Sequence, residues 1–313
     1  MSTDASTVIA GPAYVGFDGI SIYTEEDIEV SVTKETRDHS VRGFGTIDDT
    51  LLDVMAEITV MPAQWVDAHN LIYYSCLSAA IGSRIFGDVD KPIVIQSMTE
   101  GKRYTYARGA ITTPPPLGLG VEKDLIGSLT LTALKGNATE LSAANSIVAL
   151  SDTAFTDTSF NEEALIHVPY SVAWGASPFN DIETEDGVDV TFDLSLEPVK
   201  TDKGGTIDMR VTDLRASATL IPVNLSHANL LEFGKMQGTG VARGTKMGRA
   251  FGRDLVMDGG SGAPKVTLKR AIPLDLANRL GTAPHLAGTF NFRSTRTITN
   301  GRAGPVAVIE TSS

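Results

Sequence analysis

Apolar and polar side chains alternate from Ile28 to Thr33, reading Ile-Glu-Val-Ser-Val-Thr. A period of two puts Ile28, Val30 and Val32 on one face of an extended segment and Glu29, Ser31 and Thr33 on the other, which predicts a half-buried strand. The stretch from Thr50 to Met61 carries the same signature: Leu52, Val54, Ala56, Ile58 and Val60 share one face, Met55, Glu57 and Thr59 the other. A slip of one residue would exchange the faces, so the pairing register is strongly specified. Both patterns return later. Val188, Val190 and Phe192 alternate with Asp189, Thr191 and Asp193, extended by Leu194 and Leu196, and Leu214, Ala216, Ala218 and Leu220 alternate with Asp213, Arg215, Ser217 and Thr219. Pro62 and Pro222 close the second strand of each pair, because proline cannot donate to a ladder. The stretches between, Lys34 to Gly45 and Leu194 to Gly205, predict long hairpin excursions rather than two-residue turns.

The recurrence is literal. Gly45-Thr46-Ile47-Asp48 reappears as Gly205-Thr206-Ile207-Asp208, 160 positions on. At that offset, with no gap, 12 of the 46 positions from Thr24 to His69 are identical. Ordinary composition gives roughly three by chance. Self-similarity at a fixed offset predicts one unit copied in tandem, with the first copy at 1–159 and the second at 160–313. Weaker echoes follow at offsets of 161 to 162: Arg108, Ala110 and Ile111 with Arg270, Ala271 and Ile272, and Gly127 to Leu131 with Gly288 to Phe292. The expected fold is mainly β (α+β): two tandem copies of a β-sandwich or barrel module, each with one flanking α-helix. The helices are predicted after the two prolines. One covers Asp67 to Ile81, with Leu71, Tyr74, Cys76, Leu77 and Ile81 along an apolar path; the other begins at Ser226, a good N-cap residue. Gly82 to Lys102 and Gly234 to Pro264 read as glycine-rich irregular regions followed by further strands. Residues 1–13 read as an arm, Tyr14 to Tyr23 as a short strand and turn, and Val306 to Ile309 as a closing strand.

Composition narrows the class. With 42% hydrophobic and 20% charged residues the chain suits a folded soluble protein, and 30 glycines and 14 prolines suit many turns. A single cysteine, Cys76, excludes an intrachain disulfide. The first 25 residues lack the basic-then-apolar pattern of a secretory signal, and no apolar run approaches the roughly 20 residues that cross a bilayer; folding in cytoplasm is the expectation. The net charge of −12 is unevenly spread: residues 1–234 carry −20 and residues 235–302 carry +9. An acidic majority disfavours a general nucleic-acid binder, whose mark is a basic stripe. The split fits surfaces of opposite sign that meet in self-assembly.

Catalytic chemistry is not encoded in any recognisable spacing. His39, His69, His167, His227 and His285 form no ligand pair at metal spacing. Gly238 to Gly244 lacks the spacing of a dinucleotide loop, Gly244-Thr245-Lys246 is not a phosphate loop, and Ser261 is one glycine short of a nucleophile elbow. The repeated Asp48 and Asp208 are expected to accept backbone hydrogen bonds where the chain enters a strand. No catalytic, cofactor or metal residue is assigned.

The order of elements is strand, long charged excursion, Gly-x-x-Asp, alternating strand, helix, more strands. Over Glu26 to Ile72 and again over Asp186 to Leu231 it resembles the tail-tube (major tail) proteins of long-tailed bacteriophages. The resemblance implies a virion structural protein, not an enzyme. It would form stacked rings around a channel for the genome, first in host cytoplasm and finally in the virion tail. With two modules per chain, a ring of three subunits would be pseudo-hexameric; a ring of six subunits is the alternative. Implied partners are further copies of the chain and tape-measure, tail-terminator and baseplate proteins, with DNA passing through unbound and no membrane involved. If the polar strand faces line the channel, Glu29, Glu57, Asp189 and Asp193 make that wall acidic, so that DNA slides rather than sticks. Ring stacking would pair the acidic excursion, with Glu35 and Asp38, with the basic segment carrying Lys235, Arg243, Lys246 and Arg249. A two-domain β baseplate, hub or adhesin-type binding protein is the alternative; it predicts exposed aromatic platforms, and aromatics make up only 6% of the chain.

Overall fold

Both patterned pairs form long antiparallel hairpins in the computed structural model, which describes residues 7–9, 13–24, 27–42, 45–63, 80–97, 101–123, 125–135, 147–152, 168–201, 205–226, 229, 242–260, 263–278, 287–296, 298–299 and 302–311. The strands are β1 (Thr7–Ile9), β2 (Ala13–Phe17), β3 (Ile20–Tyr23), β4 (Ile28–Val41), β5 (Gly45–Val60), β6 (Ile93–Ser97), β7 (Lys102–Tyr106), β8 (Arg108–Thr113), β9 (Leu117–Leu119) and β10 (Leu129–Leu134). They continue as β11 (Val148–Asp152), β12 (Ser171–Trp174), β13 (Thr184–Thr201), β14 (Gly205–Pro222), β15 (Arg253–Asp258), β16 (Pro264–Asn278), β17 (Ala287–Arg293), β18 (Ile298–Thr299), β19 (Arg302–Ala303) and β20 (Ala307–Thr311). One short helix, α1 (Met247–Phe251), is described. The mainly β expectation is met.

Two five-stranded sheets, β1-β4-β5-β10-β8 and β11-β7-β6-β2-β3, belong to the first part of the chain. Their inward side chains, Val30, Ala56, Ile58 and Leu131 from one sheet and Val15, Ile22, Ile93 and Ile95 from the other, form one apolar core. The second part is a continuous path, β12-β15-β16-β17-β14-β13-β9, with β20 also on β16. Its core joins Val188, Val190, Ala216, Phe290 and Phe292 to Val172, Trp174, Leu255, Met257 and Val266. The Trp174 indole N–H donates to the Ala271 carbonyl at 3.0 Å, so the largest core side chain leaves no donor unsatisfied.

The two parts share register as well as sequence. Each of the thirteen β4–β5 pairs, from Glu29 opposite Thr59 to Val41 opposite Gly45, recurs in β13–β14 when 160 is added to both members. The bulges recur too: Glu35/Thr36 and His39/Ser40 in one hairpin, Ser195/Leu196 and Val199/Lys200 in the other. A bulge adds one unpaired residue and bends the strand, so shared bulges give both hairpins the same bends. Beyond the hairpins, β10 lies on β5 as β17 lies on β14, with Leu131 opposite Ile58 and Phe292 opposite Ala218. The strands β7 and β8, separated by Ala107, correspond to the two halves of β16, on either side of Lys269: Ala107 N–H bonds the Ile147 carbonyl and Lys269 N–H the Val306 carbonyl.

Several sequence expectations change. The charged excursions are long hairpins, as expected, but their arms are regular strand, since β4 and β5 pair as far as Val41 and Gly45; the alternation lapses there because both faces are wet. Ala110 and Ile111 correspond in register to Ile272 and Pro273, not to Ala271 and Ile272, because the offset on this strand is 162 throughout. The irregular region Gly234 to Pro264 contains α1 and β15. Of the predicted helices, residues 67–79 of the first lie outside the described residues, Cys76 among them. At the other, the Ser226 hydroxyl accepts the Asn229 N–H at 3.3 Å, the geometry of an N-cap. The proposed domain boundary near residue 160 also lies outside the described residues. One strand crosses between the parts: β9, from the loop between β8 and β10, pairs with β13, placing Leu117 opposite Val190. On the first hairpin the same edge position is filled by β1, with Thr7 opposite Val30.

Candidate functional site: the hairpins and the junction between them

The alternation leaves one face of each hairpin in water. Glu29 and Glu57 lie on it in the first hairpin, opposite Thr59 and Ser31, and Asp189 and Asp193 in the second, opposite Thr219 and Arg215. All four carboxylates are exposed. The face around them is mixed rather than uniformly acidic. Lys123, from the loop after β9, bonds Asp189 at 2.6 Å. Thr191 and Ser217 share a hydrogen bond of 2.8 Å, and the Thr219 hydroxyl donates to Asn291 at 2.9 Å.

The second hairpin tip is held by the first part of the chain. Gly205 takes the left-handed conformation, φ +61°, and an added Cβ would stand 2.8 Å from the Leu52 carbonyl oxygen. Glycine permits both the conformation and the approach. Asp53 Oδ2 then accepts the Thr206 N–H, at 3.0 Å, and the Thr206 hydroxyl. Asp208 is buried; its Oδ1 accepts the N–H groups of Met209, at 2.7 Å, and Phe86, at 3.1 Å. Arg108 supplies the opposite charge. Its side chain is 7% exposed, with Nη2 3.6 Å from Asp208 Oδ2 and Nε 3.3 Å from Asp90. Nη1 donates to the Ile207 carbonyl at 2.8 Å, and Nη2 donates to the Gly87 carbonyl. The guanidinium also lies 5.7 Å from the centre of the Phe86 ring. Removing one partner from a buried pair of this kind leaves an uncompensated charge, at a cost of about 3–5 kcal/mol.

Residues 82–86 run along the open edge of β14. Gly82 N–H bonds the Val211 carbonyl, Val211 N–H the Ser83 carbonyl, and Ile85 N–H the Met209 carbonyl. A small apolar cluster, Phe86, Ala110 and Leu134 with Met55, Ile85 and Met209, fills the space beneath. Lys200 reaches back to Glu35 at 2.8 Å. Glu35, expected to face a neighbouring ring, is thus engaged within the chain.

Among the described residues the first hairpin tip has no such cover. Thr46 and Asp48 are exposed, and Ile47 and Leu51 are 62% and 50% exposed. Asp48 Oδ1 accepts the Asp49 N–H at 2.8 Å, as expected of a carboxylate where the strand begins. Asp38 stands opposite Asp49, and a hydrogen bond and like-charge repulsion from Asp38 raise the Asp49 pKa. Among the described residues no ion pair joins Glu35 or Asp38 to Arg243, Lys246 or Arg249. These three cations lie around α1, and Lys235 lies outside the described residues. His39 shares a hydrogen bond of 2.6 Å with Thr50; the other four histidines lie outside the described residues. Among the described residues no group of three or more His, Cys, Asp or Glu side chains could hold a metal, and no helix is long and apolar enough to cross a membrane.

Sequence reasoning singled out the repeated aspartates and the Arg108/Arg270 echo. It missed that Asp53 and Arg108, both from the first part of the chain, bind one copy of the repeated tetrapeptide. The tetrapeptide itself was the available signal, since an identical run on an otherwise diverged hairpin marks a site with more to satisfy than strand pairing. No protein-family model matches the chain, and no curated protein matches it.

Proposed function

We propose that this chain is a virion structural protein of the phage tail-tube type, built from two tandem copies of one β module, each of which contributes a hairpin to the wall of a ring. One observation carries the reading: two hairpins of identical register and bulges stand in one chain, and the tip of the second rests against the middle of the first, at Leu52 and Asp53. A staggered, side-by-side contact between equivalent elements generates a ring if its rotation closes and a helical filament if it does not. Three chains give six hairpins; six chains are the alternative. The exposed polar faces of the hairpins form the bore, and stacked rings form the channel through which DNA passes.

Negative-stain microscopy of the purified protein tests this. Rings or tubes with an open bore are expected; dispersed single chains at all concentrations would favour the two-domain binding protein. In assembled particles, Glu29→Lys with Asp189→Lys places cations on the bore and is expected to slow genome ejection, because lysine contacts bind phosphate. Unchanged ejection would remove those carboxylates from the bore.

A further inference from the structure

The junction inside the chain is a template for a second junction between chains. The aspartate and the arginine that receive the second hairpin tip have counterparts in the second part of the chain, and the first tip repeats the residues that are received. At the offsets fixed by the strand registers, Asp53 corresponds to Asp213 and Arg108 to Arg270. Thr206 and Asp208 correspond to Thr46 and Asp48.

The counterparts retain the local bonds of the template and differ in the bonds that cross the junction. Asp53 Oδ1 accepts the Val54 N–H at 2.9 Å, and Asp213 Oδ1 accepts the Leu214 N–H at 2.9 Å. The other oxygen of Asp53 holds Thr206; that of Asp213 holds its own near neighbour Arg215, at 2.7 Å. Arg108 anchors the Gly87 carbonyl, and Arg270 anchors the Gly248 carbonyl at 2.7 Å. The second arm of Arg108 reaches Ile207 across the junction; that of Arg270 turns to the Arg296 carbonyl at 3.2 Å. On the donor side, Val211 is fully buried in the second hairpin, whereas its counterpart Leu51 is half exposed beside Ile47.

We propose that the first hairpin tip, Thr46 to Leu51, docks on the face formed by Asp213, Arg270 and α1 of a second copy of this chain. In this contact Thr46 meets Asp213 and Asp48 meets Arg270. Charge selects this occupant. The tip carries Asp38, Asp48 and Asp49 against Arg37, while on the receiving face Asp213 is already paired with Arg215 and the remaining charges are Arg270 and Arg296, with Lys246 and Arg249 on and beside the helix. Complementary potentials of this kind fix register and orientation between partners. The contact is heterologous, so it leaves one tip and one receiving face at the ends of any open string of chains, and only closure satisfies all of them. The inference rests on the ring reading and specifies its missing contact.

Paired cysteines test it, in a chain whose only cysteine is removed by Cys76→Ser. Thr46→Cys with Asp213→Cys is expected to give, on oxidation of the assembled protein, covalent multimers ending in a closed species of one ring. The control, Asp53→Cys with Thr206→Cys, is expected to give a crosslink within single chains. Asp48→Arg, at an exposed position, is expected to lower the assembled fraction about tenfold or more, the equivalent of one lost charge pair, without changing the melting temperature of the single chain. Arg270→Glu added to it is expected to restore assembly. Rings that form without the interchain crosslink, and that ignore Asp48→Arg, would overturn this contact and leave the ring reading standing. A wild-type chain that never assembles would overturn both.

Discussion

Gly-Thr-Ile-Asp occurs twice, in the same register of the same hairpin, and in two environments. At Gly205 to Asp208 the aspartate is buried against an arginine and the threonine is bonded to Asp53. At Gly45 to Asp48 the threonine and the aspartate face water, and Asp48 makes its local backbone bond. Local sequence therefore sets how the strand begins and not what covers it. What covers the second tip is residues 82–86, Arg108 and Asp53, all contributed by the first part of the chain. Among the described residues nothing covers the first tip in that way, and in the ring reading its cover comes from another molecule.

The contrast can be broken by substituting the same residue in both places. Asp208→Ala is expected to destabilise the isolated chain by about 3–5 kcal/mol, because it breaks the buried pair, leaves Arg108 only the half-exposed Asp90, and takes the acceptor from the Met209 and Phe86 N–H groups. Asp48→Ala is expected to change it by no more than about 0.5 kcal/mol, as usual for an exposed site. Urea unfolding of both variants gives the two values, and equal values would dissolve the contrast. Gly205→Val is expected to cost about 1–3 kcal/mol from the left-handed backbone alone, with further loss because its Cβ meets the Leu52 carbonyl. Thr206→Val removes the hydroxyl bonded to Asp53 and is expected to cost about 1 kcal/mol. Thr46→Val is expected to be near neutral in the single chain and to weaken assembly.

Acidity separates the two parts in a smaller way. Burial acts to raise the Asp254 pKa, but the bond from Lys269, the Arg270 N–H and the Lys269 charge together outweigh it and leave the pKa lowered. The Asp258 pKa is lowered by the Gly260 N–H and then by the bond from Lys265. A lowered carboxylate pKa contributes stability that is present above the unfolded value of about 4 and is lost as pH falls through the folded value. At the acidic tip the sign reverses: the Asp49 pKa is raised by Asp38, so that pair opposes folding at neutral pH and the penalty is relieved on acidification. Asp254→Asn is expected to flatten the acid limb of the stability profile below about pH 4, and Asp38→Asn to lower the Asp49 pKa in an NMR titration. An unmoved Asp49 would mean that the two carboxyls do not interact.

The hairpins were legible in the sequence because one face of each is wet and the other dry, and a period of two records that difference directly. Their shared register was legible because the offset of 160 runs without a gap through Gly45 to Asp48. The offset on β8 and β16 was misjudged by one residue at Ala110 and Ile111: both flanking positions are small or apolar, so identity alone could not choose between 161 and 162. The strand character of Lys34 to Val41 was hidden, since a hairpin that projects into water alternates between two polar faces. The pairing of β9 with β13 was not legible at all. Leu117-Gly118-Leu119 is too short to carry a period, and its partner lies about 70 residues away in sequence. The junction was half legible: the repeated aspartates and the Arg108/Arg270 echo stood out, but long-range burial distinguishes Asp208 from Asp48, and no local pattern records it.

If each chain brings two equivalent wall segments to a closed ring, the native mass of the smallest assembled particle is fixed by the number of chains that close it. With a chain of 33.2 kDa, a closed species of three chains, about 100 kDa, or its integral stacks is expected. A protein that stays at the mass of one chain across concentration and salt would contradict it.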